Sequence, residues 1–266
     1  MMNNNPLVSI VTVSYNAAAT IEQTILSVLN QSYSNIEYII IDGGSTDGTV
    51  DIIKKYADKI AYWVSEPDKG IYDAMNKGII AANGIWINFM NASDEFCSHN
   101  TIADLFSNIQ NKNSKIIYGN IIRVYNNYRK ERIAGITNKK PDIVDFFQDT
   151  IHHQSAFINK ELFDKYDLYD LNYKLASDWL FFLKTIGINK EPVEYHNINV
   201  AYFMMDGMSS KYPEKYQQEE EFIKDQLFGD YKDYLHELSE FRKSSLLKYL
   251  LKIRILLRTF KNKYFI

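Results

Sequence analysis

The sequence predicts an α/β fold in which one domain is built on a mostly parallel sheet and ends in a helical tail. Buried strands are indicated by three apolar runs rich in Val and Ile, at 6–16, 38–41 and 86–90. Helices are indicated by apolar residues at helical spacing, at about 20–29, 50–56 and 71–82. Strands that alternate with helices in this way are typical of a parallel sheet with crossover helices.

The first predicted strand ends in polar residues. Its run at 6–16 (PLVSIVTVSYN) stays mostly apolar and β-branched up to Val13, and Tyr15 and Asn16 follow. In parallel sheets the ligand crevice lies beyond the carboxyl ends of the strands. We therefore expect Tyr15 and Asn16 to line a ligand site, although Tyr15 is also suited to packing at the end of the sheet.

The second predicted strand is followed by DGGSTDGT at 42–49. Asp42 falls at the carboxyl end of this strand, which makes it a candidate for ligand binding. Its alternative role is structural, because an aspartate here also caps a helix or holds a turn through its own side chain. Residues 45–48 fit a turn and a helix N-cap.

The segment at 65–78 (SEPDKGIYDAMNKG) combines acids, bases, two glycines and an amide around the start of a helix. Gly70 allows the backbone to approach a ligand closely, and the helix N-terminus that follows favours anions. This composition indicates a site for a charged ligand, to which Asp68, Lys69 and Lys77 contribute. An ordinary loop and helix cap with solvated lysines is the alternative.

The run at 86–90 ends in NASDE at 91–95. Asp94 therefore joins Asp42 and Asp68 at one edge of the predicted sheet. Carboxylates crowd together mainly where a cation or a hydroxyl-rich ligand holds them, because like charges otherwise repel. The pattern predicts a cleft of converging carboxylates.

These segments resemble those of family 2 glycosyltransferases, inverting enzymes with the GT-A (Rossmann-like) fold that build bacterial surface polysaccharides. Six matching segments occur in the family's order, at 8–16, 42–49, 68–78, 91–94, 152–154 and 176–179. The resemblance implies a GT-A domain over about 1–215, with a donor half at about 1–99 and an acceptor half at about 100–215. It also implies sugar transfer from a UDP- or GDP-linked donor to an acceptor hydroxyl, in capsule, exopolysaccharide or O-antigen assembly.

The same resemblance assigns residues to the donor and to a metal. Nucleotide-sugar contacts are implied for Val13, Tyr15, Asn16, Asp42, Asp68, Asn76 and Lys77. Asp94 is the implied ligand of a divalent cofactor, Mg²⁺ or Mn²⁺; many relatives carry two or three aspartates here, whereas this chain has Asn91 and Ser93. Many relatives also carry a second acidic residue at the position of Gly43, which leaves the choice between uridine and guanosine open.

Asp178 is the expected catalytic base, because an inverting transfer needs one carboxylate to accept the proton of the attacking hydroxyl. It precedes the apolar run at 179–183, which predicts a helix start whose dipole favours the ionised carboxylate. A plain N-cap aspartate is the alternative. The resemblance implies acceptor-side contacts for His153, Gln154 and Trp179, although a lone histidine is more often structural.

The C-terminal segment at 216–266 is predicted to be a helical, basic tail. From Arg242 onward it has eight basic residues and no acidic ones, so with a net charge of −3 the preceding residues carry −11. Apolar residues between 246 and 260 follow helical spacing. A basic amphipathic helix indicates binding to a membrane surface, here the inner leaflet; packing against the domain or a subunit is the alternative. The acidic body argues against a nucleic-acid partner.

Composition and termini set the remaining expectations. With 46% apolar and 24% charged residues among 266, the chain is globular, and its single cysteine, Cys97, forbids an internal disulfide and suits a reducing compartment. We expect no signal peptide, since the first residues lack a basic and apolar leader, and no apolar run approaches the ~18 residues of a membrane span. A cytoplasmic enzyme, peripheral at the inner membrane and acting on a saccharide acceptor that in this family is commonly lipid-linked, is expected.

Two alternatives keep the fold but change the function. One is a nucleotide-sugar hydrolase or another sugar-phosphate transferase on the same scaffold. The other is a non-catalytic nucleotide-sugar-binding or membrane-adaptor protein. Asp178 separates the second from an enzyme, because a binder needs Asp42 and Asp94 but no base.

Overall fold

The computed structural model describes residues 5–125, 129–137, 140–205 and 212–244. The strands in these ranges are β1 (Val8–Ser14), β2 (Ile36–Asp42), β3 (Tyr62–Ser65), β4 (Trp86–Phe89), β5 (Glu95–Phe96), β6 (Ile116–Tyr125), β7 (Arg129–Ile133), β8 (Ala156–Asn159) and β9 (Val193–Met204). The α-helices are α1 (Ile21–Leu29), α2 (Thr49–Lys55), α3 (Ile71–Ala81), α4 (Thr101–Ser107), α5 (Glu161–Tyr166), α6 (Ser177–Phe182), α7 (Pro213–Phe228) and α8 (Tyr231–Lys243). A π-helical turn, Leu183–Ile188, continues α6.

The N-terminal half of the sheet is parallel, as predicted. Its strands lie in the order β3-β2-β1-β4, and each pair is parallel. The register sets Ser14 opposite Asp42 and Asp42 opposite Ser65, so three strand ends meet at one edge. Every residue of β1 is buried, and β2 is buried from Tyr38 to Asp42, so the sheet is covered on both faces here.

The second half of the sheet is mixed. β8 is antiparallel to both β4 and β6, β9 runs parallel to β6, and β5 and β7 pair antiparallel with β9 and β6. The whole is therefore one α/β domain whose order is β3-β2-β1-β4-β8-β6-β9-β5, with β7 beside β6. The expected α/β class, with a mostly parallel sheet in the N-terminal half of the domain, is confirmed.

Alternate residues of the central strands face two hydrophobic cores. Val11 and Ile39 belong to the core that contains α3 and α6, whereas Ile10 and Ile40 belong to the core that contains α1 and α4. Gly78 of α3 lies so close to Val11 that a Cβ there would overlap the valine side chain. This close approach seats α3 on the sheet and directs its N-terminal end toward the edge where the strands end.

The helices after residue 212 pack on the domain. Ile223 of α7 is buried in the α3–α6 core, and Arg242 of α8 forms a bidentate ion pair with Asp142. The predicted division between domain and tail at residue 215 therefore falls inside α7. The apolar stripe at 246–260 and the basic residues after Lys243 lie outside the described residues. Within those residues, none of the helices is both long and apolar enough to cross a bilayer.

Candidate active site

Asp42 holds the turn that follows β2. Its carboxylate accepts hydrogen bonds from the hydroxyls of Ser14, Ser45 and Ser65 and from the backbone N–H groups of Gly44 and Ser45. Burial raises the pKa of Asp42, but these hydrogen bonds outweigh it and keep the pKa below its ordinary value. Because an ionised carboxylate offers about four acceptor positions, five donors leave no capacity for a ligand. A direct contact between Asp42 and a nucleoside stays a prediction that requires one of these bonds to open.

Tyr15 and Asp68 converge on the backbone of Gly43. A side chain at Gly43 would overlap the Asp68 carboxylate and come within 3.4 Å of the Tyr15 ring. Tyr15 is 67% exposed, and Asp68 uses one oxygen to accept the N–H of Gly70. The structure therefore brings an exposed aromatic ring and a carboxylate together at the strand-end edge, as a nucleotide site would need.

Asn16 stands beside this pair in a left-handed backbone conformation, with φ of 47°. Its side-chain oxygen accepts the N–H of Thr46, and its own N–H donates to the Ser45 hydroxyl. It thereby ties the end of β1 to the turn after β2. Val13 lies behind these residues in the core, buried, so it supports the surface without reaching it.

The two predicted donor residues on α3 have different surroundings. Lys77 Nζ lies 2.8 Å from Glu66 Oε1 and 4.0 Å from Asp73 Oδ2, so it pairs with two carboxylates of its own segment. Asn76 is buried, and its amide donates to and accepts from the backbone of Tyr169. Both functional atoms of Asn76 are thus used within the protein, which makes it a structural link between α3 and the segment that joins α5 to α6.

Asp94 lies in the turn between β4 and β5 and is buried. Its N–H donates to the Asn91 carbonyl, and its Oδ1 accepts the N–H of Met204 at 3.3 Å. Among the described residues, no group of three His, Cys, Asp or Glu side chains could hold a metal. A single carboxylate fits Mg²⁺ or Mn²⁺ here, because such ions bind oxygen ligands and readily take waters and diphosphate oxygens for the remaining positions.

Asp178 lies in the first turn of α6, with its side chain 17% exposed. One carboxylate oxygen accepts from Nδ1 of His153 at 2.7 Å, and the other accepts from the Tyr72 hydroxyl at 2.7 Å. Burial raises the pKa of Asp178, but these hydrogen bonds, the charge interaction with His153 and the backbone N–H of Trp179 lower it below its ordinary value. The structure therefore holds an ionised carboxylate at the position predicted for the base.

His153 connects Asp178 to the loop that carries Asp94. Its Nε2 lies 3.1 Å from Nδ2 of Asn91, three residues before Asp94. The neighbouring His152 is buried, and this burial, together with Arg123 and His153, lowers its pKa to about 3. The two histidines thus differ in role: His153 joins the site, whereas His152 is a neutral core residue.

The other two predicted acceptor-side residues are internal. Gln154 is buried, and its backbone carbonyl accepts from the Asn88 side chain. Trp179 is buried, and its indole N–H donates to the Phe146 carbonyl. Sequence reasoning did not single out Tyr72, although it lies within the segment at 65–78. Its partner Asp178 is 106 residues away, a distance that no local pattern spans.

A family model described as Glycosyl transferase family 2 matches residues 9–167 of the chain. The chain belongs to glycosyl transferase family 2. The match covers the strand-end turns, the Asp94 turn and His153, and it ends before Asp178.

Curated relatives agree with this family. A PGL/p-HBAD biosynthesis glycosyltransferase of Mycobacterium bovis is 29% identical over 224 residues, which cover 82% of this chain and 83% of that protein. An uncharacterized glycosyltransferase of Mycobacterium tuberculosis is 32% identical over 190 residues, covering 69% of this chain and 70% of that protein. The expected glycosyltransferase activity is therefore supported at the level of the family.

Solved structures agree with the fold. TarS of S. aureus in complex with UDP-GlcNAc has a TM-score of 0.67 and 18% identity, covering 93% of this chain and 76% of that chain. The mannosyltransferase PcManGT of Pyrobaculum calidifontis, in complex with GDP-Man and Mn²⁺, has a TM-score of 0.66 and 17% identity, covering 88% and 69%. The predicted GT-A fold of this family 2 glycosyltransferase is confirmed.

Proposed function

We propose that this family 2 glycosyltransferase moves a sugar, with inversion, from a nucleotide-diphosphate sugar to an acceptor hydroxyl, with Asp178 as the general base. The observation that carries this proposal is the environment of Asp178. Its carboxylate is partly exposed, accepts hydrogen bonds from Tyr72 and His153 that lower its pKa, and is linked through His153 to the loop that holds Asp94. The hydroxyl oxygen attacks the anomeric carbon as its proton passes to Asp178. The bond between the anomeric carbon and the diphosphate oxygen breaks, and its electron pair leaves with the diphosphate.

The donor binds, in this proposal, at the edge where Tyr15 and Asp68 converge. The exposed ring of Tyr15 offers a stacking face for a nucleobase, and the Asp68 carboxylate offers an acceptor for base N–H or ribose hydroxyl groups. The complexes of TarS with UDP-GlcNAc and of PcManGT with GDP-Man support a nucleotide-sugar donor on this fold. The donor is accordingly UDP- or GDP-linked.

Asp94 is the proposed ligand of a divalent metal, Mg²⁺ or Mn²⁺, and the Mn²⁺ in the PcManGT complex supports such an ion on this fold. When bound, the ion offsets the negative charge that develops on the departing diphosphate. With this assistance to the leaving group, one protein carboxylate suffices for the proton transfer, and Asp178 is that carboxylate.

The test compares Asp178→Asn with the unchanged enzyme in two assays. We expect Asp178→Asn to keep its affinity for the nucleotide sugar and to lose transfer by ~10²–10⁴-fold, because the amide cannot accept the proton. Donor binding is measured by thermal shift, and transfer is measured as product formed with and without a saccharide acceptor. Full transfer by the variant would remove Asp178 from the mechanism, and donor turnover without acceptor would indicate a hydrolase.

The acceptor is proposed to be a saccharide, lipid-linked at the inner membrane, in assembly of a surface polysaccharide such as capsule, exopolysaccharide or O-antigen. The proposal draws on the relatives named for PGL/p-HBAD biosynthesis and on the basic stretch that begins at Arg242. Basic residues near anionic lipid contribute about 1 kcal/mol each, and an apolar helix face adds to this. The enzyme would then work in the cytoplasm, at the membrane surface.

Truncation after residue 244 tests the membrane proposal and keeps the ion pair between Arg242 and Asp142. We expect the full chain to sediment with anionic vesicles and to bind them less well as salt rises. The truncated enzyme should bind nucleotide sugar but not vesicles. If the full chain ignores anionic vesicles at low salt, the tail serves packing or oligomerisation instead.

A further inference from the structure

Asp178 accepts more hydrogen bonds from the protein than a general base needs for the proposed transfer. An ionised carboxylate has about four acceptor positions. Asp178 uses three of them, for the Tyr72 hydroxyl, for Nδ1 of His153 and for the backbone N–H of Trp179. One acceptor position is left for the hydroxyl of a sugar acceptor. The carboxylate is thus oriented on several sides and can still receive a proton.

His153, by contrast, has a protein partner at each of its ring nitrogens. Since an ionised carboxylate only accepts hydrogen bonds, Nδ1 of His153 must carry the proton that it shares with Asp178. On the other side of the ring, Nε2 lies 3.1 Å from the amide nitrogen of Asn91. Both ring nitrogens are occupied by protein partners, so His153 can orient Asp178 but is not placed to take a proton from the substrate.

Tyr72 can serve both protonation states of Asp178. Its hydroxyl has one proton but lies near two acceptors, 2.7 Å from Asp178 Oδ1 and 2.9 Å from the Leu175 carbonyl. While Asp178 is ionised, Tyr72 donates to it. Once Asp178 carries a proton, Asp178 can donate to the Tyr72 oxygen, and the Tyr72 hydroxyl can turn to the Leu175 carbonyl. A buried group that keeps its hydrogen bonds in both states avoids the penalty of an unpaired polar atom.

We propose that Tyr72 and His153 are positioning residues for Asp178: His153 donates to the carboxylate and orients it before transfer, and Tyr72 keeps it hydrogen-bonded after it has taken the proton. This inference rests on the proposed function, in which Asp178 is the base. The proton moves from the acceptor hydroxyl to Asp178, and Tyr72 exchanges one hydrogen bond for another without gaining or losing a proton.

Other titratable groups surround this trio. Tyr169 and Tyr216 are close enough to Asp178 for its charge to raise their pKa, after the larger effect of burial. His152 is held neutral by burial. These groups remain uncharged through the range in which an enzyme would be assayed, so a change in the acid limb of the pH profile reports on Asp178 and its two direct partners.

The first experiment compares His153→Asn with His153→Gln. The amide nitrogen of asparagine falls near the position of Nδ1 and can still donate to Asp178, whereas that of glutamine falls near Nε2 and faces Asn91. We expect kcat/KM to fall by no more than roughly tenfold in His153→Asn and by ~10–100-fold in His153→Gln, the range for loss of an orienting partner. The acid limb should move to higher pH in His153→Gln only, because the ionised carboxylate loses a donor.

Tyr72→Phe tests the same carboxylate from its other side, so a folding failure in one variant leaves the second test standing. We expect a fall in kcat and an acid limb about one pH unit higher, since removing a charge-assisted donor raises the pKa of Asp178. Tyr166→Phe is the matched control, because Tyr166 also donates to a carboxylate, Glu191, at 2.6 Å but outside the site. It should leave the pH profile unchanged.

The outcomes separate this inference from the proposed function. If Asp178→Asn abolishes transfer but Tyr72→Phe and His153→Gln keep the original pH profile, the positioning role is wrong and the base assignment stands. If His153→Asn and His153→Gln lose activity to the same extent and the residual activity of both lacks the acid limb, His153 is itself the proton acceptor, which overturns the inference. If Asp178→Asn transfers normally, the proposed base and this inference fail together.

Discussion

Asp42 and Asp178 are two buried carboxylates that the protein treats differently. Both have a pKa below the ordinary value, in each case because hydrogen bonds outweigh burial. Asp42 is fully buried and surrounded by five donors from the ends of two neighbouring strands and from one turn. Asp178 is 17% exposed and keeps one acceptor position open. A carboxylate with all its acceptor positions filled stabilises structure, whereas one with an opening can also take part in chemistry.

The strongest test of this comparison replaces each aspartate by asparagine. Asp178→Asn should lower transfer by ~10²–10⁴-fold and leave stability nearly unchanged. Asp42→Asn should instead lower the free energy of unfolding by about 2 kcal/mol. The N–H groups of the new amide would face the hydroxyl and N–H groups that now donate to Asp42, in a buried site. Urea denaturation and transfer assays on both variants measure the two effects. A stable Asp42→Asn variant that no longer binds nucleotide sugar would show that Asp42 contacts the donor after all.

Asp94 extends the comparison to a carboxylate assigned to a metal. Asp94→Asn should abolish the dependence of nucleotide-sugar binding on Mg²⁺ or Mn²⁺ while the fold stays intact, because the chain has one aspartate in this turn. Glu95→Gln is the matched control, since it removes the adjacent carboxylate and should retain metal dependence. Thermal shift with each ion and with a chelator provides the measurement. Metal-dependent binding by Asp94→Asn would disprove the assignment.

These aspartates also show which features of the structure the sequence could predict and which it could not. The parallel half followed from apolar runs and their spacing, because β1 and most of β2 are buried on both faces and are rich in Val and Ile. The edge at which Asp42 and Asp94 lie followed from the same topology. The burial of Asn76 and Trp179 did not follow, because a motif gives the residue but not the direction of its side chain. Tyr72 was missed because its hydrogen bond to Asp178 depends on tertiary packing.

A smaller effect is expected at Gly43, which lies beside Tyr15 and Asp68, the two residues proposed to bind the nucleotide sugar. Gly43→Ala adds a methyl group where the Asp68 carboxylate lies, so the carboxylate must move. Because the displaced group is the end of a side chain, stability should change little, and donor affinity should fall roughly tenfold, the loss of about 1.4 kcal/mol. Isothermal titration with UDP- and GDP-sugars tests this. Asp68→Ala should give a similar loss, and the double variant should lose little more, since both changes remove one contact.

The smallest effect concerns His152, a buried titratable group that no ligand approaches in the proposed mechanism. Its pKa of about 3 lies below the ordinary value of 6.5, because burial disfavours the charged ring and Arg123 adds repulsion. As pH falls below 6.5, the unfolded chain binds a proton that the folded chain does not, so His152 lowers stability progressively between those values. Between pH 6 and pH 5 this contribution is about 1 kcal/mol. His152→Leu should remove that part of the pH dependence in urea denaturation, and an unchanged slope would mean that His152 is protonated in the folded enzyme.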